Sequence, residues 1–339
     1  MKQANRIAVQ QPKRVAVFRA LYLGDLLCVL PAFRALRKSL PEAEITLIGL
    51  PWARVFVDRF SDYLDDFVEF PGFPGFPERT PQIDRIPAFL AEMQSLEYGL
   101  ALQMQGSGGI ANSLVVLFGA SLNAGFYLPG QYCPDSEHFL PYPVHEPEIW
   151  RHLRLMEFLG LPLSGDDLEF PIYAQDRSDL KRLEESLSLK LSDYACIHPG
   201  SRSTDRRWST QKFAAVGDGL ARRGLQVILT GSLEESHLTE SVATQMHAPA
   251  IDLAGRTTLG TLAALLSRAR LLVCNDTGVS HLAAALKIPS VVLFIASDPN
   301  RWAPRDQILH RIVSWATAAI PEVVLSEVDE LLRQERTYG

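Results

Sequence analysis

Residues Leu271–Leu286 read LLVCNDTGVSHLAAAL. Leu271–Asn275 is apolar enough for a buried strand, and Leu282–Leu286 is a strong helix former. Only Asp276–His281 separates them. A strand passing at once into a helix is the repeating half of a parallel α/β sheet. The first-turn N–H groups of such a helix lack intrahelical partners, and its dipole adds partial positive charge there. Gly278 lets a diphosphate approach the backbone, and Thr277 can cap the helix or donate to a phosphate oxygen. The same residues also suit a plain capped helix with His281 half-buried, so the turn alone leaves both readings open.

Outward from this stretch the pattern repeats. In the first half, Arg14–Arg19, Glu44–Leu50, Phe67–Phe70, Gly99–Met104 and Asn123–Phe126 read as strands. In the second half, Tyr194–His198, Gln226–Thr230, Ala250–Leu253, Leu271–Asn275 and Ser290–Ile295 do. Helical periodicity lies between them, as at Glu146–Leu159, where Ile149, Leu153, Met156 and Leu159 share a face. Thr258 is a good N-cap for Leu259–Ser267. Strands alternating with helices imply parallel sheets covered on both faces. The pattern breaks at Leu161–Gln175, which is rich in Pro, Gly and Asp and reads as a linker. The expected organisation is an N-terminal domain at 1–165 and a C-terminal domain at 172–320. A last helix within 321–339, with Val324, Leu325, Val328, Leu331 and Leu332 on one side, can pack back on the N-terminal domain. The fold class is α/β, two doubly wound Rossmann-like domains facing each other across a cleft.

The chain of 339 residues is long enough for two cores, and its net charge of −6 argues against nucleic acid as the main partner. Phosphate chemistry therefore needs a local cluster of donors. Cys28, Cys133, Cys196 and Cys274 show no C-x-x-C spacing and read as reduced packing residues. Met1–Lys13 lacks the apolar core of a signal peptide, so the expected location is cytoplasmic. Tyr98–Pro134 carries no charged residue. Glycines and amides interrupt it too often for a membrane span. A buried strand–helix–strand and a surface facing lipid or a lipid-linked acceptor both fit it, the second implying peripheral contact at the inner face of the cytoplasmic membrane.

Ligands in open parallel sheets sit beyond the carboxyl ends of the strands, and the unusual polar residues collect there. His198–Arg202 (HPGSR) continues to Arg206-Arg207-Trp208. Its three arginines beside Gly200 and Ser201 form an anion site, or else a solvated loop of surface ion pairs. Gly231 and Ser232 follow another strand. Leu21–Asp25 (LYLGD) opens a helix, with Gly24 allowing a tight turn. Asp25 there is either a helix-start residue or a carboxylate able to take a proton from an acceptor hydroxyl. Gln105–Gly109 follows the fourth strand. Gly106–Ala111 fits G-x-G-x-x-A loosely, but the dinucleotide fingerprint belongs after the first strand. There is no P-loop, H-E-x-x-H, G-x-S-x-G or D-x-D.

Taken together, Gly24-Asp25, Gln105-Gly106, His198–Trp208, Asp276–His281 and Asp298–Pro304 (DPNRWAP) resemble glycosyltransferase family 9. These are the ADP-heptose:lipopolysaccharide heptosyltransferases and their relatives. The resemblance implies a GT-B fold and an inverting transfer with neither metal nor other cofactor. The donor is then a nucleotide-sugar bound by the C-terminal domain (172–320), and the acceptor a sugar or lipid-linked sugar bound by the N-terminal one (1–165). It implies Asp25 as catalytic base, with Gly24, Gln105 and Gly106 on the acceptor side. Asp276, Thr277, Gly278 and His281 match the donor block, and Ser201 and Arg202 match the loop beside the phosphates. Arg207, Gly231 and Ser232 complete the expected donor side. Arg206 stands where the family usually has a lysine on the diphosphate, a departure that leaves Arg206 and Arg207 as alternatives. A UDP- or GDP-hexose transferase, an NAD-linked oxidoreductase and a non-catalytic nucleotide-sugar binder are the competing classes.

Overall fold

The computed structural model describes residues 11–314 and 320–338. Met1–Gln10, which hold most of the N-terminal stretch read above, lie outside the described residues. The chain divides into two compact units, 1–167 and 168–339.

The first unit contains β1 (Arg14–Phe18), α1 (Leu23–Ser39), β2 (Glu44–Gly49), α2 (Arg54–Arg59) and β3 (Asp66–Glu69). After these come α3 (Ile86–Ser95), β4 (Leu100–Gln103), α4 (Ile110–Val116), β5 (Leu122–Tyr127), β6 (Phe139–Pro141) and α5 (Glu148–Phe158). Its six strands are parallel in the order β3-β2-β1-β4-β5-β6. β1 and β4 pair as Val15–Leu100 through Phe18–Gln103 and are buried along most of their length, which is why they read as unbroken apolar runs. Phe18, Phe70, Phe76, Phe89 and Phe118 pack edge to face on one side of this sheet.

The second unit contains α6 (Ala174–Ser186), β7 (Tyr194–His198), α7 (Thr210–Arg222), β8 (Gln226–Leu229), α8 (Ser236–Gln245), β9 (Ala250–Asp252) and α9 (Leu259–Leu266). β10 (Leu271–Asn275), α10 (Gly278–Leu286), β11 (Ser290–Phe294), α11 (Pro299–Trp302), β12 (His310–Ser314) and α12 (Pro321–Tyr338) complete it. The order β12-β11-β10-β7-β8-β9 repeats the doubly wound arrangement, with all pairs parallel. In each sheet the winding reverses between two central strands, β1 and β4 or β7 and β10. Loops leave such a pair in opposite directions and open a crevice at the strands' carboxyl ends.

All ten strands expected from the sequence form, within a residue or two at their ends. Two more, β6 and β12, close one edge of each sheet. β6 has three residues and ends in Pro141, while β12 begins His310-Arg311, so neither shows an apolar run. Thr258 caps α9 as expected, accepting from the Thr261 N–H at 3.1 Å. In α12, Val324, Val328 and Leu331 are buried. This helix, expected to be able to pack back on the first domain, lies against α7, β11 and β12 of its own unit. Asp329 there takes a two-pronged bond from Arg223 at 2.7 Å on each oxygen. All four cysteines are free. Cys28, Cys196 and Cys274 are buried, and burial pushes the last two thiols far above their ordinary pKa, while Cys133 is half-exposed.

Candidate functional site

In the first unit the candidate residues gather at the β1/β4 reversal. Asp25 is the third residue of α1, not its N-cap. Its Oδ2 accepts from the Tyr22 N–H at 3.4 Å, and its side chain is 23% exposed. The carboxylate therefore braces the helix start yet stays open to solvent. Gly24 is an ordinary helical residue in the same turn, so the tight turn expected of it does not occur.

Two side chains hold the segment before α1. The Trp52 indole donates to Leu21 O at 3.1 Å, and the Tyr22 hydroxyl to Glu78 O at 2.9 Å. Glu78 belongs to the loop Phe70–Pro81, which Arg79 ties back to Phe70 O and Glu69.

Gln105 joins the loops after β1 and β4. Its Oε1 accepts from the Ala20 N–H at 2.7 Å, and its carbonyl accepts from Gln103 Nε2 at 2.8 Å. The amide oxygen is thus used in holding the backbone. Gly106 follows with φ +62°, and Gly108 has φ +102°. A Cβ on Gly108 would meet Asn112 Nδ2 and Phe126 O at 2.7 Å, so this turn needs glycine for both space and conformation.

In the second unit the β7/β10 reversal gathers most of the expected donor-side residues. Asn275, the last residue of β10, is completely buried and fixes the opposite loop. Its Oδ1 accepts from the Trp208 N–H at 3.0 Å, and its Nδ2 donates to Pro199 O at 2.8 Å. Thr277 is the N-cap of α10 by backbone but makes no side-chain capping bond. The Thr277 hydroxyl is therefore not engaged in capping the helix.

Asp276 is buried at the same point. Its Oδ2 makes no hydrogen bond and lies 3.5 Å from Arg206 Nη1. The Arg206 side chain is 37% exposed, so it is held beside the first turn of α10 with one side in solvent. Arg207 turns the other way, its Nε donating to Ser201 O at 2.7 Å. Arg206 faces the helix start, and Arg207 folds its own loop. Ser201 is buried, and Arg202 is exposed near the loop tip. His281 is buried with its ring 6.0 Å from that of Trp302, which brings the DPNRWAP segment to the start of α10.

Gly231 and Ser232 reach the cluster through Glu235. The Ser232 N–H donates to Glu235 Oε2 at 2.9 Å, and His198 Nε2 lies 3.8 Å from the same oxygen. Burial pushes the His198 pKa down against the opposing pull of Glu235, so the ring is neutral, with Nδ1 on Thr230 Oγ1 at 3.0 Å. A Cβ on Gly200 would lie 2.2 Å from Glu235 Oε1. A side chain at Gly200 would displace this carboxylate from the Ser232 N–H and His198.

Sequence reading missed Arg19, Asn275, Glu148 and Glu235 as individuals. Arg19 and Asn275 were absorbed into strands, and Glu148 into a helix. An arginine ending an otherwise apolar strand was the one available signal. Among the described residues, no group of three or more His, Cys, Asp or Glu side chains is arranged to hold a metal ion.

The model for "Glycosyltransferase family 9 (heptosyltransferase)" matches residues 87–330. Lipopolysaccharide heptosyltransferase 3 of Escherichia coli K12 is similar at 28% identity, over 84% of this chain and 83% of that protein. The solved structure of E. coli ADP-heptose LPS heptosyltransferase II superposes with a TM-score of 0.76 at 21% identity, covering 95% of this chain and 99% of that one. At a greater distance, dodecameric iron-containing heptosyltransferase TibC in complex with ADP-D-beta-D-heptose gives a TM-score of 0.54 at 15% identity, over 96% of this chain and 77% of that one. These structural likenesses show the shared fold.

Proposed function

The chain belongs to glycosyltransferase family 9, and on that premise we propose that it transfers a heptose from ADP-heptose to a hydroxyl of a lipopolysaccharide core acceptor, with inversion. Asp25 takes the proton of the acceptor hydroxyl as its oxygen attacks the anomeric carbon. The sugar–phosphate bond breaks, and the leaving ADP gains charge. Arg206 and the first-turn N–H groups of α10 stabilise that charge, with Ser201 and Thr277 as neutral donors beside it. The observation that carries this reading is the placement of Arg206 Nη1 next to the start of α10, 3.5 Å from buried Asp276. A half-exposed guanidinium beside a helix start is an arrangement suited to a diphosphate.

The test is product formation from ADP-heptose and a heptose-deficient core acceptor, with UDP- and GDP-hexoses as competing donors. Because fixed protein charges meet the leaving group, transfer is expected to survive EDTA at near-full rate. Loss with EDTA and recovery on adding magnesium or iron would overturn this account of the leaving-group site. Transfer from a hexose donor alone would keep the chemistry and change the substrate.

The acceptor's lipid gives the protein a reason to meet a membrane. Among the described residues no helix is long and apolar enough to cross one. α4 lies within the charge-free Tyr98–Pro134 and exposes Ile110 and Val116, with Leu117 beside its end. Tyr132, also exposed, takes a bond from Asn112 Nδ2 on its carbonyl. This apolar surface supports peripheral contact with the bilayer. Cosedimentation with phospholipid vesicles is expected to fall several-fold in Val116→Glu/Leu117→Glu, with ADP affinity unchanged. Equal partition of both proteins would remove the lipid role from α4.

A further inference from the structure

Arg19 has no exposed surface, although it carries a full positive charge. It follows β1, and its own N–H still bonds Ile48 O at 3.0 Å, so the strand pairing there does not depend on its side chain. The guanidinium instead joins three other segments. Nε and Nη2 both donate to the carbonyl of Asp25, at 3.0 and 2.9 Å. Nη1 donates to Met104 O at 2.5 Å, just before Gln105. Nη2 lies 3.2 Å from Glu148 Oε1 of α5 and 3.8 Å from Asp25 Oδ1. Glu148 is itself held by Arg151 and His152, each at 3.3 Å.

Burying an ion is strongly unfavourable, and packed apolar residues often replace a buried ion pair without loss of stability. Fold stability alone therefore gives little reason for a charged group here. What the guanidinium adds is a fixed distance between the end of β1, the turn after β4 and the Asp25 backbone.

We propose that Arg19 is the positioning residue for Asp25, an inference resting on the reading of Asp25 as general base. The forked contact fixes the carbonyl of the residue that carries the base. The bond to Met104 O fixes that point against the Gln105 loop. A shift of about 1 Å in a reacting group lowers rate by roughly a hundredfold, so the effect belongs in turnover.

Two variants that leave no buried charge unpaired test it. Arg19→Lys keeps the charge opposite Glu148 but not the fork, and should turn over about tenfold more slowly. Arg19→Met removes the guanidinium while Glu148 keeps its pairing with Arg151 and His152, and should be slower by about a hundredfold. In both, KM for donor and acceptor and the melting temperature should stay near wild type. Normal turnover in both variants while Asp25→Ala is inactive overturns the positioning role alone. A loss shared by acceptor KM and melting temperature also overturns it, because that marks a general loosening of the unit. An active Asp25→Ala would instead sink the general-base reading, whatever Arg19 does.

Discussion

Replacing Asp25 by alanine is expected to lower transfer by about two to four orders of magnitude, the usual effect of removing a general base. ADP affinity, measured by calorimetry, should stay within about twofold. Asp25 lies on α1 of the first unit, whereas Arg206, Asp276 and the start of α10 belong to the second. The structural cost should be small. Asp25 braces Tyr22 N–H through a long 3.4 Å bond and is partly exposed, so a loss of about 1 kcal/mol or less is expected for a first-turn acid. Asp25→Asn separates the two roles. It can still accept from Tyr22 N–H but cannot take a proton, so it should be as inactive as Asp25→Ala and more stable. Retention of more than about a tenth of wild-type turnover in either variant would return Asp25 to its helix-start role.

The fold was legible because its signal is repeated. Each central strand is buried on both faces, and each is followed by a turn rich in Gly, Ser or Asp. The edge strands β6 and β12 escaped because an edge tolerates prolines and charges that a central strand does not.

At the site, the residues proposed to meet the diphosphate were easier to find than residues that hold the backbone. Ser201, Arg206, Asp276 and Gly278 stand in loops of unusual composition. Asn275 and Arg19 sit at strand ends, where their chemistry shows only once the neighbouring carbonyls are known. The pairing of Asn275 with Pro199 and Trp208 spans more than sixty-five positions in the chain. Gln105 shows the converse. The family resemblance put it on the acceptor side, and its amide oxygen is engaged by the Ala20 N–H. Local sequence carries charge and turn chemistry but not the long-range partner that decides how a polar side chain is used.

Arg206→Ala is expected to lower turnover by roughly a hundredfold or more, on the scale of a lost electrostatic stabiliser. Donor affinity should weaken less, because charge on the leaving diphosphate grows as the sugar–phosphate bond breaks. An interaction that strengthens along that path contributes more to the transition state than to the bound donor. Arg206 is placed for this role by its 3.5 Å approach to Asp276 at the start of α10. The variant also leaves the buried Asp276 carboxylate without that cation, so its melting temperature must be measured beside its rate. Arg206→Lys restores the cation and should recover much of the activity with wild-type stability. Arg207→Ala is the contrasting neighbour. Its Nε bonds Ser201 O, so losing it should loosen the loop and weaken ADP binding modestly, with a smaller effect on turnover. Near-normal turnover in Arg206→Ala together with a crippled Arg207→Ala would move the diphosphate role one residue along the chain. If Arg206→Ala and Arg206→Lys lost rate equally and both melted early, the pair with Asp276 would be structural. The charge on the leaving group would then have to be met by the helix start alone.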